Sequence, residues 1–491
     1  MDSLTDKISN NLISLSYFTP ELILIAGLLL LIIVDLLKKK NLLFPLSLVV
    51  LGLATWQLLI SWPQEALLLF EGFIKLDQAS TAWRLILVIG AFISILISAR
   101  GTLRSIGEFY TLTFGIVLGG HLLVLSSHLL IVYLAIELMS ISAYALTLFT
   151  FDKRGSEAAV KYLVFGAVSS AIMLYGISWI YTLTGSLFFL EPEFTGALLS
   201  APIVPLSIGL SLVLVGILFK SGAVPFHVWS PDVYTAAPTP VVALFSVVPK
   251  LAAVAFLAKW FLVIHLFGLG SIDWVTILSI LAILSMLFGN FSALRQQNAK
   301  RMMAYSSIAH TGFLMVPIVS LSEQATRGLL FYAFVFLIMN LATFLVIHFF
   351  EQKQRIRNIK EYAGIVKKYP LLSILLVVLM VSLVGLPPTA GFTAKLLIFT
   401  SLWESYAVSG KPWVLALFIF GLLNTVVALF FYLKIPFYMI FRSMESQPVD
   451  NETNSFPYEN YFAGLLVLAL LVLFFKPDWL LGFINKINFV F

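Results

Sequence analysis

Glu137, Lys220, Lys250 and Lys395 sit inside long apolar runs of a 491-residue chain. A charge there is expensive unless it is paired or used. Tyr133, Glu137, Ser140 and Tyr144 recur at helical spacing, which gives one apolar helix a polar stripe that must turn toward a protein interior. A carboxylate in such a place calls for a basic partner, and Lys220 is the expected one. Held together, an acid and a lysine keep each other charged; drawn apart in an apolar medium, the neutral forms win and the lysine's proton leaves. That chemistry is a proton switch. His310, with Ser306 one turn earlier, is placed to relay protons, and His227 is a weaker candidate. Lys434 is a further basic residue in an apolar run.

These groups need elements to hold them, and composition says which. Hydrophobic residues make up 60% of the chain and charged ones 11%, with a mean hydropathy of +1.01. Such a surface cannot be hidden from water, whereas lipid removes the conflict. Runs of adequate length predict an all-α integral membrane protein of about fourteen spans, from 22–37 to 461–475. The first run is a full-length span, which predicts a retained helix rather than a cleaved leader. Within a span, Lys220, Lys250 and Lys395 each cost on the order of 3 kcal/mol. The magnitude suits the task, because a potential of ~200 mV opposes one charge by about 4.6 kcal/mol. Arg84, Lys161 and Lys259 fall near predicted helix ends, where they can snorkel. Glu137 is the one carboxylate placed clearly within a span. His121 and His128 flank a short turn and do not suit haem, whose ligands approach from facing helices; His265 and His348 read as interfacial.

The net charge of +6 does not point to nucleic acid, because the basic residues lie in short loops. Alternate loops carry 17 against 6 lysines and arginines, the richer set including Lys38, Arg100, Arg104, Arg295 and Lys353. The richer side is cytoplasmic, so both termini face outward and the span number is even. With no cysteine, the chain offers no thiolate for an iron–sulfur cluster. Redox cofactors, if any serve it, belong to other subunits, and no metal or cofactor site is expected here.

Two spans are broken. Lys220 is followed by Ser-Gly-Ala-Val-Pro-Phe-His227, and Lys395 is preceded by Gly385-Leu-Pro-Pro-Thr-Ala-Gly391. Proline removes a helical hydrogen bond, and at membrane depth the freed carbonyls need protein or water. Lys220 and Lys395 lie 175 positions apart, and Lys250 and Lys434 lie 184 apart. With five spans between copies, this predicts two inverted five-helix repeats. The expected divisions are a three-helix region over 1–106, repeats over 107–266 and 267–440, and a C-terminal helix and tail over 441–491.

The stretch from Lys220-Ser-Gly-Ala-Val-Pro-Phe-His227 to Pro249-Lys250 resembles the antiporter-like membrane subunits of respiratory complex I. So do Lys300-Arg-Met-Met-Ala-Tyr-Ser-Ser-Ile-Ala-His310 and Gly385-Leu-Pro-Pro-Thr-Ala-Gly-Phe-Thr-Ala-Lys395, and the likeness covers essentially the whole chain. The lysine at 395 sets it apart from the branch that carries glutamate there. The resemblance implies fourteen spans in two inverted units and proton translocation coupled to quinone reduction. It implies NADH, FMN, iron–sulfur clusters and quinone in other subunits, with neighbouring antiporter-like and small membrane-arm subunits as partners in a bacterial inner membrane. It makes Glu137 and Lys220 the switching pair, Lys250 the central relay, His310 an intermediate carrier and Lys395 the outward end. Lys434 fits a basic position of the thirteenth span. The alternative it leaves is a subunit of a multi-subunit cation/proton antiporter.

Overall fold

The computed structural model describes residues 4–99, 105–266, 272–442 and 458–489. Arg100 and Arg104 of the basic loop set lie outside them, as does the start of the expected second repeat at 267. The chain forms two compact units, one of Met1–Trp229, Ala236–Trp274 and Ile487–Phe491, the other of Ser230–Thr235 and Val275–Lys486.

The first unit carries α1 (Leu4–Tyr17), α2 (Thr19–Leu36), α3 (Lys40–Ile60), α4 (Gln78–Ser98), α5 (Ile106–Leu125), α6 (Leu129–Thr147), α7 (Lys153–Thr184), α8 (Pro192–Ser200) and α9 (Ile203–Ser221). A short α10 (Trp229–Ala236) follows the first break, and α11 (Thr239–Leu266) completes this part of the chain. Between α3 and α4, Leu67–Leu69 and Ile74–Leu76 pair as an antiparallel hairpin. Asp77 and Ser80 then close a reciprocal cap on α4, with Ser80 N donating to Asp77 Oδ1 at 2.7 Å. The second unit carries α12 (Trp274–Leu294), α13 (Ala299–Ser320), α14 (Glu323–Gln354), α15 (Pro370–Val384), α16 (Ala390–Ser409), α17 (Pro412–Tyr432), α18 (Lys434–Phe441), α19 (Tyr458–Phe475) and α20 (Asp478–Ile484).

Among the described residues, thirteen helices are long and apolar enough to cross a membrane. The remaining expected span, 371–400, is two helices, α15 and α16, parted at Gly385–Thr389. Helices α11, α13 and α14 are buried along almost their whole length. By contrast α7 turns Val160, Leu163, Val164 and Phe165 outward, each about half exposed, which is the surface lipid accepts.

One set of contacts occurs in both units at a constant offset. Leu129 N donates to Leu187 O at 3.0 Å and Phe189 N to Ser127 O at 3.1 Å. Ala299 N donates to Arg357 O at 3.0 Å and Ile359 N to Gln297 O at 2.7 Å, each atom 170 positions later (129 to 299, 189 to 359). The residues before α6 and α13, His128 and Asn298, both cap their helix through a side-chain acceptor. Lys259 Nζ donates to Val124 O at 3.2 Å and Ser126 O at 2.6 Å, and Lys434 Nζ to Leu294 O at 2.6 Å and Gln296 O at 3.2 Å. Each lysine therefore closes the carbonyl end of a different helix, α5 or α12, where a cation also meets the helix dipole favourably. Lys434→Met or Lys259→Met is expected to cost about 1–3 kcal/mol by leaving these acceptors unpaired. Faster thermal inactivation of the extracted complex, with proton translocation per turnover unchanged, is the outcome to look for.

Candidate proton-relay site

Lys220 lies in the last turn of α9, is 2% exposed, and donates to Ser140 Oγ on α6 at 3.1 Å. The end of a helix with free carbonyls is a favourable place for a buried ammonium. Glu137 is one turn before Ser140 on the same helix, and its charge acts on Lys220. The expected close pair is not made, and no ion pair joins the two among the described residues. Glu137 Oε1 is buried with no partner. The stripe inferred from sequence is therefore right in direction, but Ser140 supplies the hydrogen bond that Glu137 was expected to supply. A hydroxyl at that register reaches the ammonium first.

Gly222 ends α9 with φ +71°, a conformation that suits glycine. A Cβ built there would stand 3.8 Å from Lys250 Nζ, so Lys250, 2% exposed on α11, reaches the first break directly. The break is closed by Trp229, whose Nε1 donates to Phe219 O at 3.1 Å while its ring stacks on Tyr162 at 4.2 Å. His227 is half-buried within the break.

In the second unit, His310 on α13 is 2% exposed and has a tyrosine on each ring nitrogen. Nδ1 meets Tyr332 Oη at 2.7 Å and Nε2 meets Tyr432 Oη at 3.1 Å. Tyr432 Oη is also hydrogen-bonded to Ser306 Oγ. A neutral imidazole has one donor and one acceptor nitrogen, so this chain of hydroxyls and ring can pass a proton by exchanging bonds. Sequence reading found His310 and Ser306 but missed Tyr332 and Tyr432. The available signal was a tyrosine deep in each of two apolar helices.

Lys395, 4% exposed on α16, donates to Val384 O at the end of α15 and stands over the Phe313 ring at 4.5 Å. Gly385 has φ +86°, and a Cβ there would lie 2.6 Å from Lys395 Cδ. Lys220 precedes its helix-ending glycine by two residues, whereas Lys395 follows its own by ten. The shared feature of the two breaks is therefore the pair Gly222 and Gly385, 163 positions apart, and the 175-residue spacing of the lysines does not mark equivalent places. The lysines stand on opposite sides of their breaks, Lys220 before Gly222 and Lys395 after Gly385, and that accounts for the change of offset. Lys395 also lines a cavity of about 600 Å³ with Phe392, Phe399, Trp403, Glu404 and Phe418. Gly391 permits the turn of α16 against α15, since a Cβ there would fall 1.9 Å from Ser382 O. Gly391→Ala is expected to destabilise by about 1–3 kcal/mol or more through overpacking against backbone. Its readout is loss of the assembled chain from membranes.

Several other expectations change. Arg84 does not snorkel, being 2% exposed and bonded to a second buried carboxylate, Glu21 at 0% exposure. His121 and His348 are buried, at 0% and 6%, whereas His265 is exposed as expected. Lys300, assigned to a loop, is 8% exposed and pairs with Glu351 at 3.2 Å. Lys434, a basic residue of the thirteenth expected span, donates to two carbonyls at the α12 end. Lys161 keeps its surface place, paired with Glu157 at 2.7 Å.

Buried lysines at helix breaks stand on a nearly all-helical scaffold of membrane-crossing length, the arrangement of an antiporter-like membrane subunit. Residues 126–424 match the transmembrane family of NADH:quinone oxidoreductase and Mrp antiporter subunits, and the chain belongs to that family. It is 36% identical over 483 residues to "NADH-quinone oxidoreductase subunit N 2" of Chloroherpeton thalassium, covering 94% of this chain and 92% of that one. It is 37% identical over 448 residues to "NAD(P)H-quinone oxidoreductase subunit 2" of a Synechocystis strain, covering 89% and 84%. A chain of respiratory complex I from Thermus thermophilus with bound aureothin superposes with a TM-score of 0.79 at 29% identity, covering 94% of this chain and 98% of that one.

Proposed function

We propose that this chain is a proton-translocating subunit, of the subunit N type, in an NADH:quinone oxidoreductase. Lys220 carries the reading. It is buried in a helix end, held by a single hydroxyl, with the unpartnered Glu137 Oε1 on the same helix that supplies that hydroxyl. Movement of the ammonium toward Glu137 holds its proton; return to Ser140 releases it toward Lys250. In the second unit, Tyr332, His310 and Tyr432 form the carrier chain, and Lys395 with its cavity forms the outward end. Lys434 is a helix clamp in this scheme, and His227 lines the first break. Residues 107–266 and 267–440 are read as two inverted sequence repeats, a reading supported by the contacts that recur at an offset of 170. Both termini face outward from a bacterial inner membrane.

FMN, iron–sulfur clusters and quinone are held by other subunits, so energy reaches this chain through contacts with neighbouring membrane-arm subunits. Tagging the chain, extracting its complex in mild detergent and measuring flavin and iron–sulfur absorbance with NADH:quinone activity tests the reading. Redox centres and activity support it. A complex without redox centres that exchanges sodium for protons in vesicles points instead to a cation/proton antiporter, whose subunits fall in the same family.

A further inference from the structure

Three ionisable side chains outside the relay meet on α2, α4 and α5. Arg84 Nη1 donates to Glu21 Oε1 at 2.9 Å, Arg84 Nη2 donates to Thr81 Oγ1 at 2.9 Å, and His121 Nδ1 lies 2.8 Å from the same Glu21 Oε1. Exposure is 0% for Glu21, 2% for Arg84 and 0% for His121. Glu21 Oε2, Arg84 Nε and His121 Nε2 are buried with no hydrogen-bond partner. Glu21 is the third residue of α2, Arg84 the seventh of α4 and His121 the fifth from the end of α5. All three therefore lie within two turns of helix ends on one side of the unit, the side of α1 and the hairpin.

A stability role explains this cluster poorly. Replacing a buried charged trio by apolar residues of similar volume is often neutral or stabilising, and intramembrane ionisable groups mark ion paths. An ionised carboxylate only accepts, so Nδ1 carries the hydrogen toward Glu21 and leaves Nε2 as a free base. Glu21 and Arg84 cancel each other's charge, and a proton on Nε2 takes the cluster from neutral to singly positive. The charged and titratable groups on the elements packed against α5 are Glu21 and Asp35 on α2, Lys40 on α3, Lys75 on the hairpin, Arg84 on α4, Tyr133, Glu137 and Tyr144 on α6, and Lys250, Lys259 and His265 on α11. Gly120, beside His121, would bring a Cβ to 3.0 Å from Leu87 on α4 and 3.5 Å from Ala252 on α11. One residue from His121, α5 thus packs against the helix of Lys250, two residues from that lysine.

We propose that His121 is a second proton-binding site of this chain, with Glu21 and Arg84 the charge pair that positions it. The proposal rests on the proton-translocation reading. The test uses the intact complex in inverted membrane vesicles, comparing wild type, H121N, E21L/R84M and K220A for protons translocated per electron. For H121N the ratio is expected to fall about twofold and to lose the part of its pH dependence that the imidazole supplies. A side chain that only packs would alter the amount of complex and leave the ratio and its pH profile in place. Should H121N not assemble, the double variant E21L/R84M, which removes both charges and with them the group that positions His121, is expected to lower the ratio comparably. A wild-type ratio and profile in whichever of these two variants assembles, with K220A impaired beside it, overturns the proposal alone. A wild-type ratio in K220A as well overturns the proton-relay reading together with it.

Discussion

Lys220→Ala will leave the complex assembled and lower coupled turnover by about 10²-fold, the scale of losing a positioned proton donor. The substitution removes a buried ammonium held by one hydroxyl, so little packing is lost with it. Lys220→Arg is expected to fail similarly, because guanidinium keeps its proton and cannot act as a carrier. Quinone reduction rate per flavin, set beside the amount of complex on a native gel, separates the two effects. Wild-type turnover in Lys220→Ala would sink the switch.

Arg84→Met should have the largest effect on stability, about 3–5 kcal/mol, because it leaves Glu21 as an uncompensated buried charge. With Arg84 gone, a proton on His121 Nε2 is the one compensation left within the cluster, since His121 Nδ1 already faces Glu21 Oε1. The double substitution Glu21→Leu with Arg84→Met removes both charges and is expected to restore most of the assembled complex, though not the behaviour that depends on His121. Membrane content of the chain, read for the single and double variants, decides the matter. Equal loss in both would show that the pair does not act through charge.

The helical spans were legible because an apolar run of sufficient length has few alternatives in lipid. Lys220, Lys250 and Lys395 were legible for the same reason, since a lysine in such a run stands out. The partners were not. Whether Ser140 or Glu137 reaches Lys220 depends on helix rotation of a fraction of a turn, which a stripe spanning Tyr133 to Tyr144 does not resolve. Tyr332 and Tyr432 were missed because a tyrosine passes as an apolar residue until its hydroxyl is seen beside His310. Arg84 fell near a predicted helix end, where snorkelling is the ordinary outcome, and only the packing of α2 and α4 on α5 brings Glu21 to it and buries both. The spacing of Lys220 and Lys395 misled for another reason. It compared a lysine that precedes its break with one that follows its break.

The most direct measurement is the number of protons translocated per electron by vesicles holding the intact complex with Lys220, Lys250 or Lys395 singly replaced by methionine. The relay predicts a lowered ratio or halted turnover in each, with the complex still assembled. Three variants that assemble, turn over and pump at the wild-type ratio would contradict it.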